Sequence, residues 1–202
     1  VLRCGGRIIK TQSYDATKAD FNAALDALMS DEKTPGVSQG EPPKRRISID
    51  ALFIPDSYIH ARSIAHQLAR QKVQGVQLLG TSAWHHPDLL MAGGSYLEGA
   101  VWVDGFSPNS FYPEVNDFTD AYYAAFGREP DLPDAVAFDA IKIITEVLGS
   151  RRIDTRDAFR KELLKVKDYP GVTGRTSFFQ QRDAAKEAFV LKVSRGQIIQ
   201  VK

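Results

Sequence analysis

The tetrapeptide His85-His86-Pro87-Asp88 is where this sequence comes nearest to a metal site, because imidazole and carboxylate are ligands that zinc accepts. Adjacent residues on one loop rarely point at the same ion, and no distant acid or cysteine completes a set. Pro87 suits the first turn of a helix instead, where its missing N–H costs nothing. His60 and His66 fall six apart, so they do not share a helical face as an i,i+4 pair would. Cys4 is the single cysteine; it can form no disulfide within the chain, has no evident base beside it, and reads as a buried, inert thiol. Glu129 and Asp131 read as loop solvation. The sequence holds neither a Walker-type phosphate loop nor a GxSxG elbow. These residue types and spacings point away from catalysis, a bound metal or a cofactor, and leave binding as the chemistry to explain.

Binding sites are positioned by elements, and the stretch from Ile49 to Phe106 carries the pattern. It alternates strand, helix, strand, helix, strand, which predicts a parallel sheet with ligands outside the carboxyl ends of the strands. Each strand ends in small polar or loop residues that could face such a cleft. Ile49–Ile54 is a near-continuous apolar run, as expected of a strand buried on both faces. A helix follows from Ile59 to Gln71 with Ile64 and Leu68 inward, then strands at Val76–Leu79 and Leu97–Val103. Upstream, Arg7–Thr11 reads as a short strand. The helix Lys18–Met29 is capped by Asp15 or Thr17 and keeps Phe21, Ala24, Leu25 and Leu28 on one stripe.

Downstream, Val115, Phe118, Tyr122 and Phe126 mark one helix, and Val136, Ala140, Ile144 and Val147 a second after the breaker GREPDLPD. A third helix is capped by Asp154 or Thr155 and turns Phe159, Leu163 and Val166 inward until Pro170–Gly171 stops it. The hairpin Phe189–Val193 and Ile198–Val201 closes the chain around SRGQ.

Twenty-six basic residues against 25 acidic ones leave a net charge of +1, so the global basic field that nucleic-acid binders use is missing. The one dense basic cluster, Pro42–Arg46, lies in the Gly/Pro/Ser-rich stretch 30–48 and reads as a solvated loop. No apolar run approaches membrane-spanning length. The sequence shows no secretion leader and no initiator methionine, so Val1 is not expected to be the natural start.

Seven motifs in order carry a resemblance: GGRIIKTQSYDATKADF, IDALFIPDSY, GVQLLGTSAW, YLEGAVWVDGF, DFTDAYYAAFGREPDLPDAVAFDA, YPGVTGRTSFF and FVLKVSRGQIIQV. Each alone is weak, but together they cover nearly the whole chain. They resemble the type I periplasmic binding protein family, the substrate-binding receptors exemplified by branched-chain amino acid receptors. The charged insertion 30–48 ahead of the IDALFIPDS strand is similar to a subgroup of penicillin-binding protein activators.

The resemblance implies an α/β fold of three-layer αβα Rossmann-like lobes with parallel sheets. That fold is incomplete here, because family members carry a first lobe ahead of a segment like Arg7–Thr11. Residues 1–103 would be the C-terminal ligand-binding lobe with a mobile insertion at 30–48. Residues 104–169 would be a returning part of the N-terminal lobe, and 170–202 a hinge crossing and terminal hairpin. Such a chain would expose helix faces through Phe118, Tyr122 and Ile144, and is expected to self-associate, by exchanging elements between copies.

By the same resemblance the ligand contacts are Tyr14, Asp56, Ser57, Tyr58, Thr81, Ser82 and Trp84, on three strand-end loops. Tyr58 would stack on a ligand and Asp56 accept from an amine; the alternative is that Asp56 or Ser57 caps the following helix. Amino-acid-binding relatives place a carboxylate near the position of Ser82, so its replacement here argues against a free amino acid. Trp84 would offer a flat face to the ligand or else pack over the sheet edge, and Tyr14 would touch ligand or pack under the insertion. The implied function is an extracytoplasmic solute-binding receptor of the periplasm or cell envelope, lipid-anchored through an upstream N-terminus. It would trap an amino acid-like molecule, peptide or aromatic acid between two lobes for an ABC-type importer (its membrane permease) or a sensor. The alternative is a non-enzymatic regulator of a cell-wall synthase, with a penicillin-binding protein as partner.

Overall fold

A computed structural model describes residues 5–18, 20–30, 49–91, 94–150, 153–179 and 183–201. The chain forms two units, Val1–Val101 with Arg195–Gln197, and Trp102–Ser194 with Ile198–Lys202. Cys4, Pro42–Arg46 and the insertion beyond Ser30 lie outside the described residues.

The first unit is built on β1 (Ala51–Phe53), α2 (Tyr58–Arg70) and β2 (Gln77–Gly80), preceded by α1 (Asn22–Met29). β1 and β2 pair in parallel, Ala51 opposite Gln77 and Phe53 opposite Leu79, and the Ile54 amide extends the ladder to the Leu79 carbonyl. Parallel pairing puts the loops after both strands at the same end of the sheet. The expectation that this strand is buried on both faces is corrected: Phe53 is 57% exposed, on a side that no described element covers, while Ile54 is buried. α2 turns Ala61, Ile64, Ala65 and Leu68 inward at i, i+3, i+4 and i+7. α1 buries Phe21, Leu25 and Met29 at every fourth residue.

α1 starts four residues later than expected, because Asp15 and Thr17 are used elsewhere. The Thr17 amide and hydroxyl both donate to the Asp15 carboxylate in a turn, and Asp20 receives the Asn22 amide at the true start. Arg7–Thr11 forms no strand. It has no ladder partner among the described residues, and Ile8 and Ile9 are exposed; isolated chain cannot satisfy its backbone as a strand does.

After β2 the chain makes three 3-10 turns, Ser82–Trp84, Pro87–Leu90 and Gly94–Leu97, which drive Trp84, Leu89 and Leu97 fully into the core. Pro87 opens its turn as expected. The strand expected from Leu97 begins only at Val101, because Gly99 takes the left-handed conformation (φ +85°) and turns the chain first. The Glu98 carboxylate then receives the Arg195 and Gly196 amides at 2.8 and 3.3 Å.

The second unit holds β3 (Val101–Asp104), α3 (Pro113–Phe126), α4 (Leu132–Ser150) and α5 (Arg156–Leu163). Five strands follow: β4 (Tyr169–Gly171), β5 (Gly174–Phe178), β6 (Ala184–Lys186), β7 (Phe189–Ser194) and β8 (Gln197–Gln200). β3, β7 and β8 are neighbours in that order, and β7 alternates buried with half-buried residues. β4, β5 and β6 form a separate antiparallel sheet that sequence patterning did not anticipate; Pro170–Gly171, expected as a helix stop, is part of its first strand. Thr155 caps α5 through the Ala158 amide, while Phe159, Leu163 and Val166 are half-buried.

Asp131 does more than solvate its loop. It exchanges hydrogen bonds with Asp134 across the first turn of α4, and Arg128 clamps Asp134 at 2.7 Å. The Arg128 guanidinium holds the Asp134 carboxyl well below the usual carboxylate range.

Of the face expected inward on α4, Val147 is buried, and the rest is rotated by one residue: Ala135, Asp139 and Ile143 point inward, whereas Val136, Ala140 and Ile144 are exposed. Asp139 sets this register. Its carboxylate accepts the Val172 and Thr173 amides at 2.8 and 2.9 Å and the Thr173 hydroxyl, with the Lys186 ammonium 3.6 Å away. Gly171 is required beside it, since a Cβ there would lie 2.5 Å from the same carboxylate. Phe118, expected at an open face, is buried and stacks obliquely on Phe138 at 4.6 Å.

Candidate functional site

The carboxyl ends of β1 and β2 carry two loops, Pro55–Ser57 and Thr81–His86, and both belong to the first unit. Asp56 lies at the centre of the first. The Tyr14 hydroxyl donates to one carboxylate oxygen at 2.7 Å, while the Ser57 amide and the His60 ring share the other at 2.6 and 2.9 Å. The contact with Tyr14 brings the Gln12–Asp15 segment to the same place, across 42 residues of chain.

Burial and the neighbouring Asp56 carboxylate push the Tyr14 hydroxyl up to about 12. For Asp56, burial acts upward but is outweighed by the donors Tyr14, Ser57 and His60, which hold the carboxyl below its ordinary value. Aromatic edges complete the cluster: Tyr14 meets Phe21 at 5.0 Å and Phe21 meets His60 at 5.5 Å, both edge-on.

Each residue singled out from sequence has a definite place. Ser57 caps α2, its hydroxyl accepting the His60 amide at 3.5 Å. Asp56 does not cap but orders Tyr14 and His60. Tyr58 opens α2 and lies flat on His86, with ring centroids 4.0 Å apart and planes within 2°. Thr81 and Ser82 accept backbone bonds from Trp84 and His85 at the start of the second loop, Thr81 half-buried and Ser82 exposed.

Trp84 presents no face to solvent. It is fully buried over Gly80, where any Cβ would overlap its ring. Two residues that sequence reasoning left out of the site belong to it. His60 stands four residues from Asp56, an i,i+4 spacing that signals contact across the first turn of a helix. His86 precedes Pro87 in the cap position of a turn, and its Nδ1 accepts the Asp88 amide at 3.1 Å. Among the described residues no three His, Cys, Asp or Glu side chains converge to hold a metal ion, and no helix is long and apolar enough to cross a membrane.

The arrangement is a polar network with a flat two-ring surface at the ends of parallel strands. It can hydrogen-bond and pack against a small molecule. A separate cavity in the second unit is lined by Tyr112, Glu114, Arg175, Glu187 and Phe189 and contains none of the residues chosen from sequence.

A family model described as periplasmic binding protein matches residues 2–197. No curated protein matches. Among solved structures, one described as a branched-chain amino acid ABC transporter from Rhodospirillum rubrum is 28% identical, with a TM-score of 0.70 over 75% of this chain and 44% of the other. A leucine binding protein from Thermotoga maritima is 23% identical, with a TM-score of 0.64 over 94% and 49%. An ABC-transporter solute binding protein from R. palustris, solved with benzoate, is 14% identical, with a TM-score of 0.63 over 99% and 51%. The mixed α/β architecture with its parallel strands is the fold of these proteins, and the chain spans about half of their length.

Proposed function

The chain belongs to the periplasmic binding protein family, and on that footing we propose that it is the ligand-binding portion of an extracytoplasmic solute receptor. It serves an ABC-type importer of the cell envelope, and its role is capture rather than catalysis. The observation that carries this reading is the Tyr14–Asp56–His60 network, which ties the segment around Tyr14 to the loop and helix start at the carboxyl end of β1. Parallel sheets bind their ligands at that place. Tyr58, Thr81 and Ser82 supply the remaining surface, and the solved structures named above, described as ABC-transporter and binding proteins, support the reading.

The test is a thermal-shift screen of the intact protein against amino acids, short peptides, aromatic acids and muropeptides. A ligand at a hundredfold excess over its dissociation constant stabilises by about 2.7 kcal/mol. A clear shift that Tyr58→Ala abolishes establishes a receptor and names its substrate class. If no compound shifts the transition, the receptor reading falls, and a pull-down from envelope extract then tests regulation of a cell-wall synthase.

A further inference from the structure

Two acids near the strand-end loops, Asp56 and Asp15, are engaged within the protein. Asp56 serves three donors, and Asp15 serves the Thr17 amide and hydroxyl, with Lys18 3.7 Å away. An ammonium entering a partly dry site needs a carboxylate of its own, and these two are already spent.

His86 offers the opposite chemistry. Its Nδ1 accepts the Asp88 amide at 3.1 Å, so in the neutral ring the proton sits on Nε2. The ring is held flat on Tyr58, and its side chain is 43% exposed. Nε2 makes no hydrogen bond to a described residue. The Asp88 carboxylate is 3.8 Å from Nδ1, the other nitrogen, and Arg62 donates to the Asp88 carbonyl at 3.0 Å. The result is an oriented N–H donor, fixed by stacking and by a backbone bond, with no acceptor among the described residues.

We propose that His86 contacts the ligand, its Nε2–H donating to a carboxylate oxygen, and that this receptor takes a small carboxylic acid lacking a free ammonium group. The inference rests on the receptor reading above and narrows it to a substrate class. Tyr58 acts as a positioning residue that keeps the imidazole plane aimed.

Calorimetric titration of the intact protein compares pairs of probes: leucine with 4-methylpentanoate, which differ by the ammonium group, and phenylalanine with benzoate. The acid without an amine is expected to bind at least tenfold more tightly in one pair or both. His86→Phe preserves the stacked ring and removes the donor, and is expected to weaken that acid by at least tenfold. His86→Asn retains an acceptor for the Asp88 amide; it should keep the wild-type melting temperature and still lose affinity. Tighter binding of the amino acids, or His86→Phe and His86→Asn proteins that bind the acids as the wild type does, overturns the proposal while leaving a receptor in place. Binding of peptides alone overturns it in the same way, and a protein that binds no probe of any class removes the receptor reading itself.

Discussion

A carboxylate that looks available in sequence can be fully occupied in the fold, and Asp56 is such a case. Read along the chain it is one more loop acid before a helix. In the structure it accepts from Tyr14, the Ser57 amide and His60, so its work is to hold other side chains in place. Tyr14 gives this network a measurable signature. The folded chain keeps the phenolic proton up to about pH 12, against 10 for an ordinary tyrosine. Because the folded value is the higher one, the stability this group contributes is complete below pH 10 and lost as pH rises from 10 to 12. Absorbance titration at 295 nm should therefore show Tyr14 ionising later than a free phenol, alongside Tyr122 and Tyr169, whose hydroxyls are also pushed up, and Tyr14→Phe should remove its share of that late step. A profile unchanged by Tyr14→Phe would mean that the hydroxyl is not bound to Asp56.

At the scale of elements, legibility followed the kind of physics involved. Apolar periodicity placed α1, α2 and the closing hairpin within a few residues, because burial of a stripe is local information. It missed the register of α4, since the inward face there is chosen by a charged residue. Asp139 is 2% exposed and satisfied by backbone amides more than 30 residues away, a pairing no sequence window contains. The same limit hid the sheet β4–β5–β6, whose first strand contains a proline, and hid His86, whose partner Tyr58 lies on another element. The loops Pro55–Ser57 and Thr81–Ser82 were legible because a βαβ unit dictates where strand ends go.

Asp139→Ala tests the α4 reading. It strands the Val172 and Thr173 amides and the Lys186 ammonium, and should cost about 2–4 kcal/mol by the usual penalty for unpaired buried partners. Denaturant melts would register it, with Val136→Ala, on the exposed side, changing stability far less. Equal effects of the two would mean that the helix is turned the other way.

At the scale of the whole molecule, α4 leaves a problem unsolved by its own unit. Its inward face is satisfied, yet Ala137, Ile141, Ile144 and Leu148 repeat at i, i+4, i+7 and i+11 on the outer side, and the last three are 60%, 38% and 49% exposed. Tyr123 and Phe126 on α3 are exposed as well. A helix apolar on both sides is the kind that ends up buried on both sides, and an open stripe of this composition marks an interaction surface. For the 202-residue chain in isolation the available cover is a second copy, so sedimentation velocity should show association that grows with concentration. Replacing Ile141 and Leu148 together by Glu should abolish it while leaving the circular-dichroism spectrum intact, because neither side chain contributes to the inner core. Phe118, expected to lie open, is buried and would report only on folding. A chain that stays monomeric at high concentration would show that the stripe tolerates water, and the Ile141 and Leu148 substitutions would then have no assembly to disrupt.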